Sequence, residues 1–83
     1  MGKYEKLLNE ILRGKSDASV SLDDLRHLLR RLGFEERTHG SHHIFRKAGV
    51  DEKINLQREG SKAKAYQERQ VRIVILKHKL AVE

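Results

Sequence analysis

The sequence predicts a small α+β domain with the element order α-α-β-β-β-α, in which a three-stranded antiparallel sheet packs on helices in two layers. Two leucine-rich stretches near the N-terminus place apolar residues at helical spacing, and the residues after Gly33 alternate with the period of a strand. The final stretch returns to residues that favour a helix. We expect 83 residues to form one domain, 1–83, with a helix at 3–13 added to a core of about 21–80.

Two amphipathic helices are predicted first. The apolar face of the first consists of Tyr4, Leu7, Leu8, Ile11 and Leu12. Gly14 is the expected end of this helix, because glycine readily adopts the left-handed conformation found after a helix. The second helix is expected to begin after Ser21, a residue type suited to an N-cap, and to stop at Gly33. Its apolar stripe consists of Leu22, Leu25, Leu28, Leu29 and Leu32.

Three strands are predicted next, because the period of the side chains changes to two. The first runs over 34–39, the second over about 41–47 and the third over 53–57. Gly40 suits the tight turn between the first two strands. Residues 48–51 are read as another turn, so the sheet is expected to be antiparallel.

The last element is predicted to be a helix from about Ala63 to Lys79. Residues 71–76 are rich in β-branched side chains and could form a strand, but residues 66–70 favour a helix. We expect one wide side of this helix to be buried. That side consists of Tyr66, Ile73, Leu76 and Leu80, and it is broadened by Val71, Val74 and Ile75. We expect the helix to cover one face of the sheet.

The charge balance favours a polyanionic partner. Eighteen lysines and arginines oppose twelve acids, a net charge of +6, and only Glu68 and Glu83 among the acids follow Gly60. Two tyrosines and two phenylalanines are too few for extensive base stacking. The lack of cysteine excludes disulfides and suits a reducing cytoplasm. The longest apolar run, 73–76, is too short to cross a bilayer, so we expect a soluble protein with no membrane partner.

Chemistry is concentrated around the first predicted turn, where three of the five histidines occur at positions 39, 42 and 43. Alternate residues of a strand share a face, and Phe45 is the best core candidate there, so His43 should lie on the covered face and His42 on the open face. Histidine titrates near neutral pH and is therefore a natural general acid or base. We expect His42 to be catalytic, His43 to be supporting, and His39 to be a turn residue that touches phosphate.

A metal site is not expected, because consecutive histidines on a strand point apart and no carboxylate occurs between Glu36 and Asp51. No cofactor is expected either. The basic residues predicted to contact phosphate lie on the two hairpin strands and beside the final helix, and they are Arg37, Arg46, Lys47, Lys62 and Lys64. Any one of them could equally be a solvated surface charge.

The motif Gly40-Ser41-His42, with Phe45 three residues on, resembles the HicA-type toxin family. Further matches, in order along the chain, are Leu32-Gly33-Phe34, Ile54-Asn55-Leu56-Gln57, Lys64, Tyr66-Gln67 and Gln70-Val71. The resemblance implies a double-stranded-RNA-binding-domain-like fold and an mRNA interferase of a type II toxin–antitoxin system, a cytoplasmic stress-response nuclease. It implies that His42 is the catalytic residue, within a motif completed by Gly40 and Ser41, and that a HicB-type antitoxin blocks the site. Many members carry a proline and a second histidine after the third strand, but this chain has no proline, so no role is carried over from that second histidine.

The expected function is therefore mRNA cleavage by metal-independent histidine acid–base chemistry, which inhibits translation until an antitoxin binds. A non-catalytic RNA-binding module of the same fold would have the same charge, and only His42 separates the two readings. A DNA-binding regulator that uses helix 21–32 for recognition is a weaker alternative, because that helix is mostly leucine outside its charges.

Overall fold

The computed structural model describes residues 2–14 and 20–82, over which the chain forms three helices and three strands. In chain order the elements are α1 Lys3–Arg13, α2 Leu22–Arg31, β1 Glu35–His39, β2 His42–Lys47, β3 Val50–Gln57 and α3 Ala65–His78. The strands form an antiparallel sheet in the order β1-β2-β3. The predicted α+β class and the order α-α-β-β-β-α are confirmed.

The ends of the first two helices follow the predicted capping residues. The Ser21 hydroxyl oxygen accepts a hydrogen bond from the Asp24 backbone N–H at 3.3 Å and so caps α2. Gly14 ends α1 with a φ of 71°, and Gly33 follows α2 with a φ of 98°, values that disfavour residues with a Cβ. No helix within the described residues combines the length and apolar character needed to cross a bilayer.

One hydrophobic cluster joins the helices to one face of the sheet, which we call the covered face. The sheet contributes Phe45, Ile54 and Leu56, all fully buried. α2 contributes its leucine stripe, and α1 contributes Leu7, Leu8 and Ile11. The N-terminal helix is thus part of the common core. The opposite face of the sheet carries no helix among the described residues, and we call it the open face.

The third strand begins earlier than the sequence predicted. Residues 48–51 were expected to form a turn, but the connection is only Ala48-Gly49, and Val50 already pairs with Lys47. Gly49 has a φ of 84°, which lets the chain reverse within two residues. The register shifts between Phe45 and Lys47, where a β-bulge adjusts the pairing.

The buried side of α3 matches the predicted one only in part. Val71, Val74 and Ile75 are buried and Leu80 packs against the core, as predicted, but Tyr66, Ile73 and Leu76 are 54%, 64% and 57% exposed, although we expected them to be buried. The buried residues of α3 are Gln67, Glu68, Val71, Val74 and Ile75.

The hydrogen bonds of one polar side chain explain this orientation. Gln67 donates from Nε2 to the Gln57 carbonyl oxygen at 2.9 Å and accepts from the Lys64 backbone N–H at 2.9 Å. These bonds place a polar residue on the buried side at the end of β3, so an analysis of apolar spacing alone found Val71, Val74 and Ile75 but missed Gln67.

Candidate active site on the open face

The hairpin between β1 and β2 brings two histidines together. His39 and His42 are direct cross-strand partners on either side of the two-residue turn Gly40-Ser41. Gly40 has a φ of 58°, which fits the glycine preference at the first position of a type II′ turn. Directly opposed residues of an antiparallel pair share a face, with Cβ atoms roughly 4.5–5.5 Å apart. Both imidazoles are exposed on the open face.

Asn55 of β3 sets the orientation of the His42 ring. The Nδ1 of His42 lies 3.4 Å from the Oδ1 of Asn55. An amide oxygen can only accept, so this contact favours the tautomer of a neutral His42 ring that carries its proton on Nδ1. The Nε2 then carries the lone pair and faces solvent. This tautomer is the one that a general base at Nε2 requires.

His43 lies on the covered face, as the alternation of β2 predicted, and is only 6% exposed. Its Nδ1 lies 3.0 Å from the Oε2 of Glu36 and 3.3 Å from the Oγ1 of Thr38. Because a carboxylate only accepts, Nδ1 donates to Glu36. His43 therefore connects β2 to β1 beneath the sheet and has no path to a substrate on the open face.

His43 is the end of a network of charged side chains on the covered face. The Nε of Arg26 donates to the same Glu36 oxygen at 2.6 Å, and another Arg26 nitrogen donates to Asp23 at 2.8 Å. Arg58 also donates to Asp23. The network fixes β1, β2 and the residue after β3 to α2.

Two carboxylates of the network have lowered pKa values. Burial acts to raise the pKa of Glu36, but the hydrogen bonds from Arg26 and His43 outweigh it and lower the pKa. Hydrogen bonds from Arg58 and Arg26 lower the pKa of Asp23. The pKa of Arg26 is raised, chiefly by its bond to Glu36. These carboxylates are therefore held charged as structural partners of the arginines, which does not suit them to proton transfer.

A groove of about 380 Å³ crosses the open face beside the histidine pair, and its lining is rich in cations. The residues that line it are Glu35, Arg37, His39, Ile44, Arg46 and Lys53. Arg37 and Arg46 were predicted to contact phosphate, and the groove brings them to the same face as His42 and His39. A single-stranded polyanion laid in this groove would contact the arginines and one of the histidines together.

The other predicted phosphate contacts lie elsewhere. Lys47 is at the opposite end of β2 from the Gly40-Ser41 turn. Lys62 pairs through its backbone with Ser21 at the start of α2, and Lys64 is the N-cap of α3 with its ammonium 3.6 Å from the Glu59 carboxylate. The structure does not bring these three lysines to the face that carries His42.

Sequence reasoning missed Lys53 and Asn55 on the open face. Their signal was present, because both alternate with Ile54 and Leu56 and therefore had to face away from the core. It also missed the partners of His43. Glu36 is two residues after Phe34 and so had to share its face of the strand, which indicated the covered face. Nothing in the sequence, however, indicated that Glu36 would pair with Arg26.

Within the part of the chain that the structure describes, no three histidine, cysteine, aspartate or glutamate side chains lie close enough together to hold a metal ion. Comparison with known proteins adds no identification: no protein-family model, curated protein or solved structure matches this chain.

Proposed function

We propose that this protein is a metal-independent endoribonuclease that cleaves mRNA in the cytoplasm, a toxin that resembles the HicA type. The observation that carries the proposal is His42. It is exposed on the open face, its Nδ1 lies 3.4 Å from the Asn55 Oδ1, and its cross-strand partner His39 lines a groove that also contains Arg37, Arg46 and Lys53. An accessible base, an amide contact that favours the Nδ1–H tautomer and a surface suited to phosphates support the same chemistry.

In this reaction Nε2 of His42 takes the proton of a ribose 2′-hydroxyl. The 2′-oxygen attacks the adjacent phosphorus, and the bond from phosphorus to the 5′-oxygen breaks. The products are a 2′,3′-cyclic phosphate and a 5′-hydroxyl. General base catalysis of this kind contributes about 10²- to 10⁴-fold. Arg37 and Arg46 would stabilise the charge that develops on the phosphate oxygens.

A toxin of this kind requires an inhibitor, and we propose a HicB-type antitoxin that covers the open face. Ile44, directly opposite Arg37 on β1 and Asn55 on β3, is half-buried at the centre of that face and offers an apolar contact among the cations. The surrounding arginines would favour an acidic partner surface.

The experiment is RNA cleavage by the purified protein in EDTA, compared among wild type, His42→Ala and His27→Ala. His27 is an exposed histidine on α2 and serves as the matched control. We expect the wild type and His27→Ala to cleave equally and His42→Ala to be inactive. Cleavage that EDTA abolishes, or that survives in His42→Ala, would contradict the mechanism.

The basic lining of the groove also favours a second candidate, a non-catalytic RNA-binding module. In that case the wild type would bind RNA with a strong salt dependence but leave it intact, and His42→Ala would bind equally well. A DNA-binding role for α2 has less support, because Arg26 and Asp23 of that helix are already engaged with each other.

A further inference from the structure

We propose that His39 is the general acid that protonates the leaving 5′-oxygen, so that His39 and His42 form a two-histidine catalytic pair. This inference rests on the proposed ribonuclease function and names a second residue of the same site. A nuclease that uses only a base leaves the 5′-oxygen to depart as an alkoxide, which is a poor leaving group. The cleavage therefore gains from a positioned acid as well as from a base.

The register of the hairpin places His39 where that acid is needed. His39 is the direct cross-strand partner of His42, on the same face and also exposed. The contact with Asn55 holds the His42 ring on the side of β3, away from β1. The space between the two imidazoles therefore lies over the β1–β2 pair. A phosphate there would have His42 on the side of the 2′-oxygen and His39 on the side of the 5′-oxygen.

Other ionisable groups of the open face are less suitable. The cations that line the groove are Arg37, Arg46 and Lys53, and arginine and lysine are residue types that give up a proton poorly at neutral pH. Glu35 lies four residues before His39 on β1, roughly 13 Å away along an extended strand, which is too far to share a phosphate with His42. Among the groups that line the groove, His39 is the one whose side-chain type exchanges protons near neutral pH.

The proton balance of the step is closed. His42 starts neutral and receives the proton of the 2′-hydroxyl as the bond between the 2′-oxygen and phosphorus forms. His39 starts protonated and gives its proton to the 5′-oxygen as the bond from phosphorus to that oxygen breaks. After one turnover His42 is protonated and His39 is neutral, and exchange with water restores both. No metal ion or other reactant enters the scheme.

The test uses an RNA oligonucleotide that the wild type cleaves at one site and a copy in which the 5′-oxygen of that site is replaced by sulfur. A thiolate leaves without a proton, because thiols ionise near pH 8.5 whereas alcohols do not. We expect His39→Ala to be at least 10²-fold slower than the wild type on the ordinary RNA. On the sulfur substrate its rate should approach that of the wild type, within about threefold. His42→Ala should be slow on both substrates.

A deficit of His39→Ala that is equal on the two substrates, or no deficit on either, would overturn the acid role. His27→Ala is the control and should match the wild type on both. The rate of the wild type on the ordinary RNA should also fall at high pH, as expected of a reaction that needs a protonated acid, and His39→Ala should lack that fall. If the wild type cleaves neither substrate faster than His42→Ala does, the proposed function fails and this inference fails with it.

Discussion

The Nε of Arg72 lies 2.7 Å from the carbonyl oxygen of Ile11, so α3 caps the last turn of α1. The same carbonyl oxygen accepts from the Gly14 backbone N–H at 3.1 Å, and a cation at this end of the helix also stabilises the negative pole of the helix dipole. Gly14 leaves room for this contact, since a Cβ there would lie 3.2 Å from the Arg72 guanidinium carbon.

Arg72→Ala should therefore lower the free energy of unfolding by about 1.5–3 kcal/mol, the usual contribution of a hydrogen bond to a charged group. Arg69→Ala is the control, because Arg69 is exposed on the same helix and should change stability by less than about 0.5 kcal/mol. Urea unfolding of both variants measures the difference. Equal losses would show that the contact with Ile11 contributes nothing.

The two neighbouring histidines of β2 should behave in opposite ways when each is replaced by alanine. His42→Ala should change stability by less than about 0.5 kcal/mol, since its ring is exposed, and should abolish RNA cleavage. His43→Ala removes a buried hydrogen bond to Glu36 and should cost about 1–3 kcal/mol while keeping part of the activity. Thermal melts beside cleavage assays test this. A stable but inactive His43→Ala would contradict the assignment of faces.

Acid should weaken the network that joins Glu36 to Arg26. The pKa of Glu36 is lower in the folded protein than in the unfolded chain, so its contribution to stability is full above the ordinary carboxyl range and is lost as the pH falls through the folded pKa. Glu36→Gln should lose about 3 kcal/mol at pH 7, because Arg26 then loses a buried partner. The difference in free energy of unfolding between Glu36→Gln and the wild type should become smaller below roughly pH 4. Urea unfolding of both proteins over a range of pH measures this difference, and a difference that grows as the pH falls would refute the explanation.

High salt should weaken the ion pairs at the surface more than it weakens the network of Glu36 and Arg26. The Glu52 carboxylate lies 2.7 Å from the Lys77 ammonium and 2.8 Å from the His78 Nε2. The hydrogen bond from Lys77 is the main cause, and the hydrogen bond from His78 the second cause, of the lowering of the pKa of Glu52 to about 2. Exposed pairs are screened in concentrated salt, whereas buried ones are screened much less. We expect the drop in melting temperature of Glu52→Gln to vanish in 1 M NaCl, at a Debye length of about 3 Å. The drop for Glu36→Gln should persist, and a parallel response of the two variants would count against the distinction.

The groove on the open face should dominate RNA affinity. Replacing Arg46 and Lys53 by alanine should reduce the salt slope of log K by about 0.7 for each lost phosphate contact on single strands. The control is a double variant in which Lys62 and Lys64, in the connection before α3, are replaced by alanine. It removes the same amount of charge and should leave the salt slope nearly unchanged. Equal effects of the two double variants would instead indicate attraction by net charge alone.

Sequence periodicity predicted the elements well because the core depends on apolar spacing. The alternation around Phe45 placed His42 and His43 on the correct faces without any knowledge of the helices. The same reasoning succeeded only in part for α3: it placed Val71, Val74 and Ile75 in the core correctly but not Tyr66, Ile73 and Leu76, and it did not foresee the buried hydrogen bonds of Gln67. The network of Glu36 and Arg26 was equally out of reach, since such long-range polar pairs depend on tertiary positions that a period does not encode.

The strand order has a consequence for how fast the chain folds. Each strand pairs with its neighbour along the chain, across connections of two residues, and such hairpins close in roughly 1–10 μs. The contact between Ile11 and Arg72 spans 61 residues, so its formation costs more loop-closure entropy than the formation of either hairpin. The sheet can thus assemble early and locally. α1 can pack on α2 at once, but its contacts with α3 form only after the whole sheet between them has been made.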